Sequence, residues 1–253
     1  MMDFFPPRLL LAVTVAILLA PAAATAADSR WSIDFEGGVA VSGYNDVRIP
    51  GNTGTLFSLS QELDSDPAFF WRARLTRSLG QRHHLSLLVA PLRLESAGRI
   101  DRSISFNGEK FDANTPLDAG YRFDSYRLTY IYDLHRSDRI RLGIGFTGKI
   151  RDAAITLSGG GNSAEKSNTG FVPLLHLVFH WQFSKRTGLL VEGDGLAAPQ
   201  GRAEDFLLAF TADLSPRLGF KAGYRLLEGG ADNDEVYTFT LVHYASAGIV
   251  FRL

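Results

Sequence analysis

GFVPLLHLVFHWQF, Gly170 to Phe183, alternates with a period of two. Phe171, Pro173, Leu175, Leu177, Phe179, Trp181 and Phe183 occupy the odd positions, whereas the even ones include His176, His180 and Gln182. Successive side chains of a strand point to opposite faces, so this stretch reads as a strand with one unbroken apolar face and one polar face. RIRLGIGFTGKIR, Arg139 to Arg151, repeats the pattern: Ile140, Leu142, Ile144, Phe146 and Ile150 stand against Arg141, Thr147, Lys149 and Arg151. Gly143, Gly145 and Gly148 would weaken a helix and suit a strand that bends or is crowded.

The same alternation predicts ten strands, roughly over 30–42, 67–79, 83–97, 120–134, 138–157, 170–183, 187–197, 203–214, 217–228 and 236–253. Their connections alternate in length. The joins at GQR, HRSD, SKRT and SPR are tight and polar, while those at 43–66, 98–119 and 158–169 are long and rich in Gly, Asn, Asp and Ser. APQGRAE and EGGADND are shorter, which predicts an uneven rim. Short turns at one end and long loops at the other are the layout of an up-and-down barrel in an outer membrane. HLSLLVAPLRLES changes phase near Ala90 and Pro91, for which a bulge is the simple expectation.

The N-terminus fits export. Arg8 precedes the apolar run LLLAVTVAILLA, too short to span a membrane, and Ala24-Thr25-Ala26 has the form of a cleavage site. Residues 1–26 are therefore expected to be a secretory signal peptide, with 27–253 as a single domain. The chain has 253 residues, no cysteine and a net charge of -1, so disulfide staples are excluded and a nucleic-acid binder is disfavoured. After Ala26 no apolar run reaches transmembrane-helix length.

Alternation alone does not separate a membrane barrel from a soluble one that points its apolar face inward. Aromatic placement favours the membrane. Trp31, Tyr132, Trp181, Phe183 and Phe251 fall near one set of strand ends and Phe69, Trp71, Phe171 and Phe206 near the other, as two interfacial girdles require. The ending SAGIVFRL carries Ser246, Gly248, Phe251 and Leu253 at the spacing of the signal read by the outer-membrane assembly machinery, and so resembles bacterial outer-membrane β-barrel proteins as a class. That resemblance implies outer-membrane localisation and the barrel-assembly machinery as a partner during biogenesis. It also implies contact with outer-membrane lipid and lipopolysaccharide.

A Lys or Arg facing lipid costs about 2 to 4 kcal/mol at the midplane, so charges within strands are expected inside. The pattern assigns Asp34, Glu36, Arg72, Arg74, Arg127, Asp133, Arg141, Lys149, Arg151, Glu192, Asp194, Asp213, Lys221 and Arg225 to the lumen. Both signs are represented, and opposite charges there would pair because a lone desolvated charge is far costlier. The expectation is a mostly plugged, polar-cored barrel.

His176 and His180 are the catalytic candidates, with Glu192 and Asp194 brought beside them by the SKRT turn. A His next to a carboxylate can serve as a general base. A nucleophile is missing from the pattern: Ser184 belongs to the turn. An i, i+4 pair on a strand is about 13 Å apart at roughly 3.3 Å per residue, so the two histidines cannot share a metal. No metal or cofactor is expected. The pair His83-His84 points two ways at a turn, where solvation is the expectation. SGGGNS, Ser158 to Ser163, lacks the Lys-Ser/Thr and helix of a phosphate cradle and reads as a mobile surface loop. RIDRSISFNGEKFD suggests a hairpin around Asn107-Gly108 that would extend strands above the membrane.

The residues therefore favour an all-β, up-and-down antiparallel transmembrane β-barrel of about ten strands. Eight or twelve remain open because the hairpin at 101–113 and GTLFSLSQEL could count. The leading function is a non-enzymatic structural or narrow-pore barrel whose outer loops contact solutes or envelope partners. An outer-membrane enzyme acting on envelope lipid and a soluble exported barrel holding an apolar ligand are the alternatives. No oligomeric state follows from these residues.

Overall fold

The computed structural model describes residues 30–199 and 201–253, all strand, turn or irregular, with no helix among them. The strands are β1 (Trp31–Arg48), β2 (Phe57–Ser58), β3 (Asp64–Ser65), β4 (Ala68–Ser78), β5 (His83–Ala90), β6 (Arg93–Arg99), β7 (Ile104–Phe106) and β8 (Glu109–Phe111). They continue as β9 (Pro116–Arg136), β10 (Ile140–Gly159), β11 (Asn162–Gln182), β12 (Thr187–Ala198), β13 (Gly201–Asp213), β14 (Leu218–Asp232) and β15 (Tyr237–Arg252). Ten staves form the wall in the order β1, β4, β5 continued by β6, β9, β10, β11, β12, β13, β14 and β15. Every pairing is antiparallel, and β15 returns to pair with β1 from Ser32↔Arg252 to Arg48↔Tyr237. Closure leaves no sheet edge along this seam, which is how a sheet satisfies its backbone in lipid. The expected signal peptide, residues 1–26, lies outside the described residues.

The outward face is the apolar one. Phe35, Val39, Leu87, Leu128, Ile144, Phe146, Leu177, Leu208 and Ile249 are all exposed on it. An apolar surface continuous around a barrel far exceeds what a soluble monomer tolerates and is the band that a bilayer solvates. On β1 it runs from Trp31 to Val41, ten residue steps, or about 25 Å at roughly 3.3 Å per step and a 40° tilt. On β11 the same interval separates Trp181 from Phe171. Above the band, ion pairs Arg93–Asp124 and Arg122–Asp152 take over the outward face of β6, β9 and β10.

The interior has two storeys. Its lower half is charged. Its outer half holds an apolar cap made by residues 49–67 and the β7–β8 hairpin, with Phe57, Leu59, Leu63, Ile104, Phe106 and Phe111 fully buried against Leu92, Leu94, Leu117 and Leu157 of the staves. Phe57 and Phe106 meet edge-to-face with ring centroids 6.0 Å apart. Backbone bonds from Thr55 N–H to Ser105 O, 2.9 Å, and from Asn107 N–H to Ile49 O, 2.8 Å, join the two pieces.

This cap corrects several expectations. The β7–β8 hairpin turns at Asn107-Gly108 but plugs the barrel mouth instead of extending strands. GTLFSLSQEL contributes only the two residues of β2 and adds no stave. No bulge exists at Ala90-Pro91: β5 and β6 keep one register on β9, from His83↔Tyr132 through Ala90↔Ser125 to Arg93↔Arg122. Even residues from His84 to Ser96 stay buried throughout. The hydrophobic phase flips because the surroundings do. Above the band the outer face meets water and carries Arg93 and Glu95, while Leu92 and Leu94 point into the cap. The register shifts lie at Gly43 on β1 and Leu134 on β9. The first switches the inward parity of β1, so that Asn45 and Val47 are buried above it as Glu36 is below.

Residues 158–169 are not a loop: SGGGNS forms the tip of a β-hairpin. β10 and β11 stay paired to Gly159↔Asn162, and the tip is Gly160-Gly161 with φ of 61° and 89°. Positive φ at both central residues makes a two-residue hairpin turn that suits the strand twist and that glycine adopts without steric cost.

Candidate functional site

Charges expected inside the barrel by parity form one network across its lower storey. Asp205 of β13 accepts from Arg72 of β4 at 2.9 Å, from Arg127 of β9 at 2.5 Å and from Arg225 of β14 at 2.5 Å. Arg225 also donates to both oxygens of Glu36 on β1, at 2.7 and 2.9 Å, and Lys221 bridges Asp34 and Glu36 at 2.7 and 3.0 Å. Arg127 reaches Asp194 of β12 at 2.7 Å, and Arg74 pairs with Glu192. Asp194 further accepts from Thr147 of β10 at 2.6 Å and lies 2.9 Å from His176 Nδ1 on β11. Side chains from β1, β4, β9, β10, β11, β12, β13 and β14, eight of the ten staves, thus meet in the lumen. Shared partners and near-complete burial give such a network its rigidity.

Asp205 is not among the lumen charges expected from the sequence; it lies in the outer half of β13, close to the connection APQGRAE. Its odd parity, shared with Leu207, Ala209 and Asp213, is the signal that could have found it. Asp133 and Arg141 close the lower end, bonded at 2.9 Å, and Asp213 pairs there with Arg252 at 2.6 Å. His84 corrects the expectation of a solvated turn: it is buried beside Asp133, Nε2 to Oδ2 2.9 Å, and only His83 faces outward, 2.7 Å from Tyr130 Oη.

The catalytic candidates lie on the adjacent strands β11 and β12. His176 and Asp194 are directly paired in register, whereas Glu192 is engaged by Arg74 and His180 bonds Thr211 at 3.0 Å. His176 Nε2 is buried with no hydrogen-bond partner among the described residues.

The terminal residues lie on the closing stave. Ser246 is buried toward the lumen, while Phe251 and Leu253 are exposed outside. Gly248 pairs with Glu36 on one side and Lys221 on the other, and a Cβ there would come within 2.8 Å of Lys221 Cε and 2.7 Å of the Phe35 carbonyl oxygen. A side chain at 248 would therefore force the β1 backbone at Phe35 and the Lys221 side chain to shift.

Above the network, beside the cap, lies a cavity of about 890 Å³. Tyr121, Phe123, Ile155, Leu196, Leu227 and Val236 supply apolar wall, and Lys149 and Arg151 stand on its β10 side. β11 and β12 pair only from Gln182↔Gly188 to Leu175↔Gly195, although β11 continues to Asn162. The β12–β13 hairpin stops at Ala198↔Gly201, so the wall is notched there. Pro173, which has no N–H to donate, stands two residues above the last pair. The raised part of β11 is held from within by the cap, through Asn107 Nδ2 to Glu165 O at 2.7 Å and Asn162 Nδ2 to Lys110 O at 2.8 Å.

No protein-family model and no curated protein matches the sequence. Solved structures do match the fold. The outer membrane protease OmpT from Escherichia coli superposes with a TM-score of 0.57 at 8% identity, over 90% of this chain and 99% of that one. The translocator domain of the autotransporter NalP from Neisseria meningitidis gives a TM-score of 0.47 at 11% identity, over 90% of each chain. Ail of Yersinia pestis gives 0.41 at 12% identity, over 88% and 99%. Identities this low carry the architecture and no activity. With its inverted polarity, ten antiparallel staves and up-and-down connectivity, the chain has the fold of the bacterial outer-membrane β-barrel proteins.

Proposed function

We propose that the protein is an integral, non-enzymatic barrel of the outer membrane whose lumen is closed to through-flow. The observation that carries this reading is the convergence of Arg72, Arg127 and Arg225 on Asp205, which fills the barrel axis from three walls at once. The cap adds a second, apolar closure above it. Such an interior gives the barrel rigidity and leaves the rim and the outer cavity as the accessible surfaces. Lipid and lipopolysaccharide contact the outward band, and the assembly machinery acts on Ser246, Gly248, Phe251 and Leu253 during biogenesis.

Liposome swelling tests the reading. Vesicles bearing the purified barrel should swell no faster in a small sugar than empty vesicles do. Swelling that scales with protein density would overturn it.

A further inference from the structure

The lower lumen is balanced charge for charge: Arg72, Arg74, Arg127, Lys221 and Arg225 each contact a carboxylate among Asp34, Glu36, Glu192, Asp194 and Asp205. Lys149 and Arg151 are different. Lys149 is 2% exposed, and its ammonium lies 4.6 Å from the centre of the Phe123 ring with no carboxylate in ion-pair range among the described residues. Arg151 bonds the Asn168 side-chain oxygen and likewise has no carboxylate partner among them. A buried ammonium without a counter-ion is costly, so a site that retains one is suited to an anion brought by something else.

These two cations border the same apolar cavity, and they lie two residues apart on one face of β10, roughly 6.6 Å. Other cationic residues of the lining are already engaged, Arg202 by Glu228 at 2.7 Å and Lys166 by Glu235 at 3.8 Å. The volume falls within the range of about 300 to 1,000 Å³ typical of small-molecule sites.

The mouth of the cavity gives the direction of entry. Phe171 marks the top of the apolar band on β11, and the unpaired seam begins below it, above Leu175↔Gly195. The gap therefore reaches into the outer part of the band. A comparable splay between β4 and β6 is filled by β3, through Asp64↔Ala97 and Ser65↔Ser96. No segment fills that place between β11 and β12 among the described residues. Lys166 and Glu235 meet above the gap, so the opening is lateral beneath a surface ion pair.

We propose that this cavity binds a single-chain amphiphile with an anionic head, drawn from the outer leaflet through the β11–β12 seam. The carboxylate or phosphate sits against Lys149 and Arg151, and the acyl chain lies along Ile155, Tyr121, Leu227 and Val236. The inference goes beyond a closed barrel, since it concerns only the outer storey and leaves the lower network intact.

Photo-crosslinking of the full barrel in phosphatidylcholine nanodiscs tests it. The probes are a palmitic acid with a mid-chain diazirine, the lysophosphatidic acid carrying that chain, and the matching fatty alcohol. One or both anionic probes should label peptides spanning 149–155 and 196–203, and their ratio identifies the head group and hence the source. The alcohol should label these peptides about tenfold less, as expected for loss of a charge-assisted contact. Lys149→Met should lower anionic labelling by about the same factor, and Ala198→Trp, which narrows the mouth and keeps every charge, should lower labelling by all probes. Because Lys149→Met removes only an unpaired cation, it is expected to fold, and heat-modified gel mobility checks both variants. Labelling confined to the outward band, or equal labelling by acid and alcohol that ignores Lys149→Met, overturns the proposal. Neither result bears on conductance, so the closed-lumen reading stands or falls separately.

Discussion

Arg127 and Asp205 bond across the lumen, Nη2 to Oδ2 at 2.5 Å, although β9 and β13 stand four steps apart in a ring of ten staves. A link of this kind does not follow the sheet ladder. It ties nearly opposite walls, and it sits where two further arginines arrive.

Asp205→Ala should be the most damaging single change in the lumen. It leaves Arg72 without a carboxylate in a buried site and takes one of two carboxylate partners from Arg127 and from Arg225, and removing one partner of a buried pair costs about 3 to 5 kcal/mol. Urea unfolding in lipid vesicles, followed by tryptophan fluorescence, measures the loss. A change within 0.5 kcal/mol, the scale of a surface substitution, would show that the network contributes little.

The outward band makes a contrasting demand. Ile144→Arg places a cation in the middle of the apolar face of β10 and should cost about 2 to 4 kcal/mol. Arg122→Gln, above the band, loses an exposed pair with Asp152 and should cost about 1 kcal/mol or less. Equal effects of the two in the same unfolding assay would contradict the placement of the bilayer.

Phe106→Ala should loosen the cap while sparing the barrel. Phe106 is fully buried against Phe57, and truncation of such a ring costs about 3 to 5 kcal/mol. Phe106 packs inside the cap, apart from the β2–β1 and β3–β6 pairings that tie the cap to the wall, so the loss is local. Limited proteolysis should cut within residues 49–67 in the variant, while heat-modified mobility of the barrel is retained.

Acid should loosen the same cap from its rim. The Arg102 guanidinium beside Glu62, helped by the Ser58 N–H, holds the Glu62 carboxyl below its ordinary value of 4.5. A depressed carboxyl contributes stability that is present above the unfolded value and lost as pH falls through the folded one. The pair is partly exposed, so the effect is small and screened by salt. Exchange of the Ser58 amide should accelerate, relative to its intrinsic rate, as pH drops below about 4.5, and Glu62→Gln should abolish that dependence.

The staves and their facing were legible because period-two alternation survives wherever one face meets lipid and the other a polar lumen. GFVPLLHLVFHWQF and RIRLGIGFTGKIR pair residue by residue, from Ile140↔Trp181 to Ile150↔Phe171. Legibility failed where that contrast inverts. Leu92 and Leu94 look out of phase only until the apolar cap is known to lie inside, and Phe57, Phe106 and Phe111 lie in segments whose polar neighbours resemble loop. Asp205 lies inside β13 but close to the polar connection APQGRAE. Lys149 was assigned to the lumen with the rest, but that it lacks a carboxylate partner depends on three-dimensional neighbours that no local pattern encodes.

Planar-bilayer recording of the purified barrel addresses the closed lumen most directly. With Arg72, Arg127 and Arg225 locked on Asp205 beneath the cap, the barrel should insert without steady current steps at either polarity. Long-lived ohmic openings would contradict it.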